Sequence, residues 1–139
     1  MPKPPLPHEL DQFLLGPNPS VIATLQADGR PHSTPTWYLW ESGRVLVNMD
    51  ESRKRLAYLR REPHVSLTVL GKDEWYRHVT LQGRVVSFDP DPELSDIDRL
   101  SRHYTGQPYA RREQARVSAW IEVDWWHSWV GGHPWTGSD

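Results

Sequence analysis

Five cations fall within nine residues at 53–61: Arg53, Lys54, Arg55, Arg60 and Arg61, inside the stretch VNMDESRKRLAYLRREP at 47–63. The stretch starts as the end of a strand, passes an Asp-Glu-Ser turn and enters a short helix that a Glu-Pro pair stops. That placement suits an anionic ligand. First-turn N–H groups have no intrahelical partner, the helix dipole is positive at that end, and the arginine fork matches phosphate oxygens. A charge run on a short helix is also the usual look of a solvated face. Its position directly after a strand and a turn also fits the phosphate grip of a cofactor site.

Other chemistry-bearing residue types are sparser. His32 stands among small polar residues, with Ser33, Thr34 and Thr36, where it is either a ligand contact or an exposed sheet residue. His127 and His133 could be taken for a metal pair, but nothing near them completes a ligand set, so structural or surface roles are favoured and no metal is expected. The absence of cysteine rules out disulfides, thiolate metal sites and cysteine nucleophiles. Of eight tryptophans, Trp125, Trp126, Trp129 and Trp135 lie in the last fifteen residues. So apolar an end must be covered, and core and dimer-interface packing is favoured over a sugar-stacking platform.

At 139 residues the chain is one domain by length, large enough to bury a core. With 16 basic and 18 acidic residues the net charge is −2, so no global field favours nucleic acid or a membrane surface. The basic residues concentrate at 53–61 and again around 99–116. No apolar run approaches the ~20 residues of a membrane span, and MPKPPLPHEL lacks a signal peptide's apolar region. A cytoplasmic protein with no membrane or nucleic-acid partner is expected.

The elements that must position these residues can be read in order. Residues 1–7, with four prolines, form a poorly ordered arm, and 131–139 a frayed Gly/Pro tail. Leu10, Phe13 and Leu14 fall at helical spacing and predict a helix over 8–15, ended by Gly16-Pro17. A strand at 20–26, the Asp28-Gly29 hairpin, a returning strand at 31–40 and a third strand at 44–48 follow. The basic helix, 52–61, turns Leu56 and Leu59 to the core. Strands at 64–70 and 75–88 come next, the latter with Gly83 marking a bulge. Asp91-Pro92 opens a helix striped by Leu94, Ile97 and Leu100, with Tyr104 near its end. A Gly/Pro loop at 105–109 leads to a closing strand over 116–123 with its continuation at 124–130. Six or so hairpin-joined strands with short inserted helices predict a small antiparallel barrel in one α+β, mainly β domain.

In order and spacing these pieces resemble the pyridoxamine-phosphate-oxidase-like split β-barrel flavoproteins over about residues 14–129. The likeness rests on VIATLQADGRPHSTPTWY at 21–38, VNMDESRKRLAYLRREPHVSL at 47–67, RHVTLQGRVV at 77–86 and WHSW at 126–129. Within that superfamily the chain is most similar to the actinobacterial branch that uses the deazaflavin coenzyme F-420. That likeness comes from the DGRPHSTPTW hairpin, the LRREP helix end and the shortness of the chain.

The resemblance implies a single split β-barrel domain over 1–139 that binds FMN or F-420, and a homodimer with cofactor sites at the subunit interface. By position it places Arg30, His32, Ser33 and Thr34 beside the cofactor ring, and Val47 and Asn48 at the ring and ribityl chain. Ser52, Arg53 and Lys54 contact the phosphate in the flavin-binding relatives. In the deazaflavin branch the matching cation lies nearer Arg55. The spacing shared with the family favours the phosphate grip over a solvated face for 53–61. His78 takes the place of a polar ring contact, where relatives more often carry Gln or Tyr. The implied activity is hydride transfer between F-420 and an unsaturated or conjugated small molecule. The alternatives are an FMN enzyme of the pyridoxamine-phosphate-oxidase type and a non-catalytic flavin, deazaflavin or haem-binding module. Because such a cofactor performs the redox step itself, no acid–base dyad is expected. Tyr76, His78 and Tyr104 are candidate proton donors by type alone.

Overall fold

A computed structural model describes residues 2–130 and 133–134. In chain order the elements are α1 (His8–Leu14), β1 (Ser20–Leu25), β2 (Pro31–Pro35), β3 (Leu39–Glu41), β4 (Arg44–Asp50), α2 (Lys54–Arg61), β5 (His64–Leu70), β6 (His78–Pro90), α3 (Ser95–Thr105), β7 (Arg116–Val130) and β8 (His133–Pro134). The pairings are all antiparallel, in the order β2-β1-β5-β6-β7-β4-β3, with β8 added to β7. This is an α+β split barrel, mainly β, with short inserted helices.

Period-two alternation sets the inner face. β5 places Val65, Leu67 and Val69 inward with Ser66 and Thr68 between them, and Ile22, Val79 and Leu81 meet them from neighbouring strands. Leu56 and Leu59 of α2 and Leu10 and Leu14 of α1 close the same core. Gly83 lies where the β6–β7 register slips, and a Cβ there would sit 1.9 Å from the Glu122 carbonyl oxygen. Only glycine lets the two backbones approach that closely. Asp91 caps α3 by accepting the Asp96 and Ile97 N–H groups at 3.1 and 3.0 Å.

Two expected strands differ. The returning strand predicted over 31–40 is two strands, because the chain changes partner within it. The ladder with β1 runs out at Pro35, the Thr36 N–H making a last bond to the carbonyl of Ser20 at the start of β1 (3.0 Å), and β3 pairs with β4 instead. β6 begins at His78 rather than at 75, since a turn closed by Gly71 N–H to Arg77 C=O (2.7 Å) takes up the residues before it. Trp75 and Tyr76, stacked at 4.5 Å, are exposed in that turn. β7 is one continuous strand of 15 residues. The proline arm is docked: Trp126 donates its backbone N–H to Pro2 C=O (3.0 Å) and its indole N–H to Lys3 C=O (3.2 Å). Most of the expected tail at 131–139, with Trp135, lies outside the described residues.

Candidate functional site

β4 ends at Asp50, and Asp50 organises the turn into α2. Its carboxylate accepts the Ser52 N–H at 2.9 Å and the Ser52 hydroxyl, and pairs with Arg53 at 3.2 Å. Burial pushes the Asp50 pKa up, but the Ser52 bonds and the charges of Arg53 and Arg116 outweigh it and hold the carboxyl below its ordinary value. α2 then starts with no side-chain cap and no acidic residue in its first turn. Arg55 lies in that turn, largely buried, and its Nε is enclosed without a hydrogen-bond partner. Burial, and then repulsion from Arg53 and Arg116, lower its pKa to about 10 against the pull of Asp50 alone. Asp50 is already engaged with Ser52 and Arg53. A buried cation so placed is unfavourable until an anion joins it.

The first turn of α2 forms one wall of a cavity of about 920 Å³. Five cations line it, Arg53, Lys54, Arg55, Lys72 and Arg116, with no carboxylate among its described lining residues. β2 contributes His32 and Thr34, and β4 contributes Asn48 and Met49. Another part of the lining is apolar and aromatic, from Ile97, Leu100 and Tyr104 of α3 with Trp37 and Tyr109. Trp37 stacks on Tyr104 at 5.5 Å with planes 10° apart, and Tyr109 meets Trp37 edge-on at 6.1 Å. Flat aromatic side chains together with a cluster of cations in one cavity suit a ligand that carries a planar ring and acidic oxygens.

Second contacts fix this wall. Asp98 on α3 accepts the Tyr109 N–H at 2.9 Å and both Arg112 Nη groups at 2.9 and 3.0 Å, tying the loop 106–115 to the helix. The Arg112 bonds first, then the Tyr109 N–H, hold the Asp98 carboxyl at about 2. The Tyr104 hydroxyl donates to Asn18 C=O at 2.7 Å and accepts from the Tyr38 N–H at 3.4 Å, and burial pushes its pKa up to about 12. Tyr104 therefore reaches the cavity with its ring, while its hydroxyl is occupied by the fold.

Of the residues named from sequence, the structure brings His32, Thr34, Asn48, Arg53, Lys54 and Arg55 to this cavity. The others do not line it. Arg30 is held at the hairpin tip by Asp28 at 2.8 Å, and Ser33 is exposed because alternate β2 residues face away. Val47 is fully buried in the core. The Ser52 hydroxyl is turned onto Asp50. His78 starts β6 and its Nδ1 lies 2.9 Å from Tyr76 C=O. Of the three proton-donor candidates only Tyr104 lines the cavity; Tyr76 and His78 lie outside it. Among the described residues no group of three or more His, Asp or Glu could hold a metal, and no helix is long and apolar enough to cross a membrane.

Arg116, Tyr109, Trp37 and Lys72 were not singled out from sequence as site residues. The basic stretch around 99–116 was the one hint of Arg116; strand pairing and the packing of α3 bring the rest together.

Among solved structures the fold is similar to an F-420 reductase (TM-score 0.79, 23% identity, covering 87% of this chain and 98% of that one). It is also similar to a conserved hypothetical protein from Mycobacterium tuberculosis (TM-score 0.70, 24% identity, 91% and 86% covered). A FAD-binding protein from Mesorhizobium loti is similar too (TM-score 0.62, 21% identity, 85% and 89% covered). At these identities the likeness is one of fold. No curated protein sequence matches the chain. The family model for pyridoxamine 5'-phosphate oxidase, however, matches residues 6–130, from before α1 to the end of β7 and thus across every wall of the cavity: the chain belongs to that family.

Proposed function

We propose that the protein is a coenzyme F-420-dependent oxidoreductase that transfers hydride between the deazaflavin and an unsaturated or conjugated small molecule. The observation that carries this reading is Arg55, a largely buried guanidinium with an unsatisfied Nε and no carboxylate of its own, in a cavity lined by four further cations. The missing countercharge is an acidic group of the ligand. FMN offers one phosphate, whereas F-420 adds a long acidic tail, and a cationic lining that extends to Lys72 supports the more anionic cofactor. Membership of an oxidase family and the fold likeness to an F-420 reductase agree with this assignment.

In this reading Arg53, Lys54 and Arg55 hold the phosphate, and His32, Thr34 and the Trp37–Tyr104–Tyr109 wall face the ring. Once bound, the cofactor supplies the hydride chemistry. The chain binds and orients it and keeps water away. A homodimer completes the proposal and is tested by light scattering.

Titration of the purified protein with F-420 and, separately, FMN, followed by cofactor fluorescence, tests the assignment. Preferential F-420 binding supports it; preferential FMN binding moves the reading to a flavin enzyme; binding of neither overturns both. Reduced cofactor that stays reduced against a broad panel of enone-like acceptors leaves a binding module instead.

A further inference from the structure

A guanidinium outside α2 faces the same cavity. Arg116 begins β7 directly opposite Asp50 in the β4–β7 ladder, is only 8% exposed and lines the cavity. Its Nε–H donates to Asn48 Oδ1 at 2.7 Å, and its guanidinium carbon lies 4.7 Å from the centre of the Tyr109 ring. Among the described residues no carboxylate forms an ion pair with it, and its two Nη groups have no hydrogen-bond partner.

The carboxylates nearby are committed elsewhere: Asp50, across the ladder and sensing the Arg116 charge, is held by Ser52 and Arg53. Asp91 caps α3 and accepts the Asn48 Nδ2–H at 3.1 Å, and Asp96 accepts the Ser118 hydroxyl at 2.7 Å. Asn48 also donates Nδ2–H to Ser118 Oγ at 3.0 Å, so the orientation of its amide is fixed. A neutral amide thus stands between the acidic end of α3 and Arg116. A carboxylate at 48 would orient the guanidinium and cancel its charge; the amide orients it and leaves the charge available. Near-complete burial with no carboxylate in contact is otherwise unfavourable.

We propose that Arg116 binds an acidic group of the ligand in this cavity, from β7 rather than from α2, and that Asn48 is its positioning residue. The ligand is then a phosphate- or pyrophosphate-type oxyanion gripped by guanidinium groups from two separate elements, Arg55 on α2 and Arg116 on β7. The inference rests on the reading of the cavity as an anion site and adds the second half of the grip.

Calorimetric titration of the full chain with inorganic pyrophosphate, and separately with FMN and F-420, tests it. Arg116→Gln is expected to weaken pyrophosphate binding roughly ten- to a hundredfold, the effect of losing a charge-assisted contact. It should also flatten the dependence of affinity on salt, because one ionic contact is gone. Asn48→Ala should weaken binding less and leave the salt dependence unchanged, because the charge remains while its orientation is lost. Arg116→Lys, which keeps the charge without the fork, falls between and serves if Arg116→Gln fails to fold, as thermal unfolding of each variant will show. Pyrophosphate affinity and salt dependence unaltered in Arg116→Gln overturn the anchor, and unaltered affinity in Asn48→Ala overturns the positioning role. Pyrophosphate binding that needs Arg116, in a chain that binds neither cofactor, keeps the anchor and removes the cofactor assignment. Cofactor binding indifferent to both substitutions does the reverse, and a chain that binds none of the three overturns both.

Discussion

Arg55 makes stability and binding pull in opposite directions. Its guanidinium is desolvated and repelled by Arg53 and Arg116, which is why its pKa falls to about 10. Arg55→Gln is therefore expected to raise the ligand-free protein's unfolding free energy by on the order of 1 kcal/mol, since an uncompensated buried charge disappears. The same change should weaken cofactor binding by about 1.5–3 kcal/mol, and the Arg53→Ala, Arg55→Ala pair by at least as much. Thermal unfolding without ligand and a fluorescence titration check the two signs separately; a loss of both would make Arg55 a structural residue. Tyr104 gives the contrary case. Its hydroxyl is bonded to Asn18 and Tyr38, so Tyr104→Phe should cost roughly 1 kcal/mol of stability and leave turnover and its pH profile unchanged. A fall in turnover at undiminished binding would restore Tyr104 as a proton donor. At this scale the sequence revealed what is local. Arg53, Lys54 and Arg55 are adjacent, and their chemistry shows in their spacing. Arg116 and Asn48 are 68 positions apart, and nothing in either neighbourhood announces the 2.7 Å bond between them.

Elements were more legible than contacts, because periodicity and turn chemistry are local properties. The helix over 8–15, the Asp28-Gly29 hairpin, the apolar strand at 64–70 and the Gly83 bulge all follow from patterns that tertiary structure did not override. The single strand expected over 31–40 is two because a change of pairing partner leaves only a proline as its trace. Gly83→Ala tests the bulge. A Cβ there would lie 1.9 Å from the Glu122 oxygen and 2.9 Å from its carbon, so β6 and β7 must part. A loss of roughly 3 kcal/mol or more in unfolding free energy is expected, read from denaturant titration. A second prediction concerns the loop that carries Tyr109. Arg112 and the Tyr109 N–H lower the Asp98 pKa from 3.8 to about 2, so the carboxylate's contribution is fully present above the ordinary value and is lost as pH falls through about 2. Asp98→Asn should be less stable than the parent near neutrality by about 1 kcal/mol at most, because Arg112 is half exposed and solvent screens the pair. That gap should close between about pH 4 and pH 2. A gap independent of pH would assign the effect to shape rather than charge.

For the whole molecule, the sheet order decides where function can lie. β2 stands at one end of the order and β4 with β3 at the other, yet β2 and β4 both line the cavity. The site thus lies across the split of the barrel, with α2 on one side and α3 on the other. Its two ends are joined through β1, β5, β6 and β7, which explains why composition and periodicity predicted a barrel but no complete cavity. The N-terminal arm shows how the far side of this barrel is closed. Pro2 and Lys3 accept the Trp126 N–H groups, the Lys3 ammonium lies 5.0 Å from the centre of the Trp125 ring, and Leu6 packs on the core. The arm's prolines have little backbone freedom to lose on docking, so a few contacts suffice to hold it. Deleting residues 1–6 removes the Leu6 contact and uncovers Trp126, which is only 6% exposed, and should cost about 2–3 kcal/mol. None of residues 2–7 lines the cavity, so cofactor and pyrophosphate affinities should stay within about twofold at temperatures where the truncated chain is folded. Thermal unfolding and the same titrations measure both. If affinity collapses while the unfolding midpoint holds, the arm reaches the ligand, in its own subunit or in a second copy, and the cavity as drawn from one chain is incomplete.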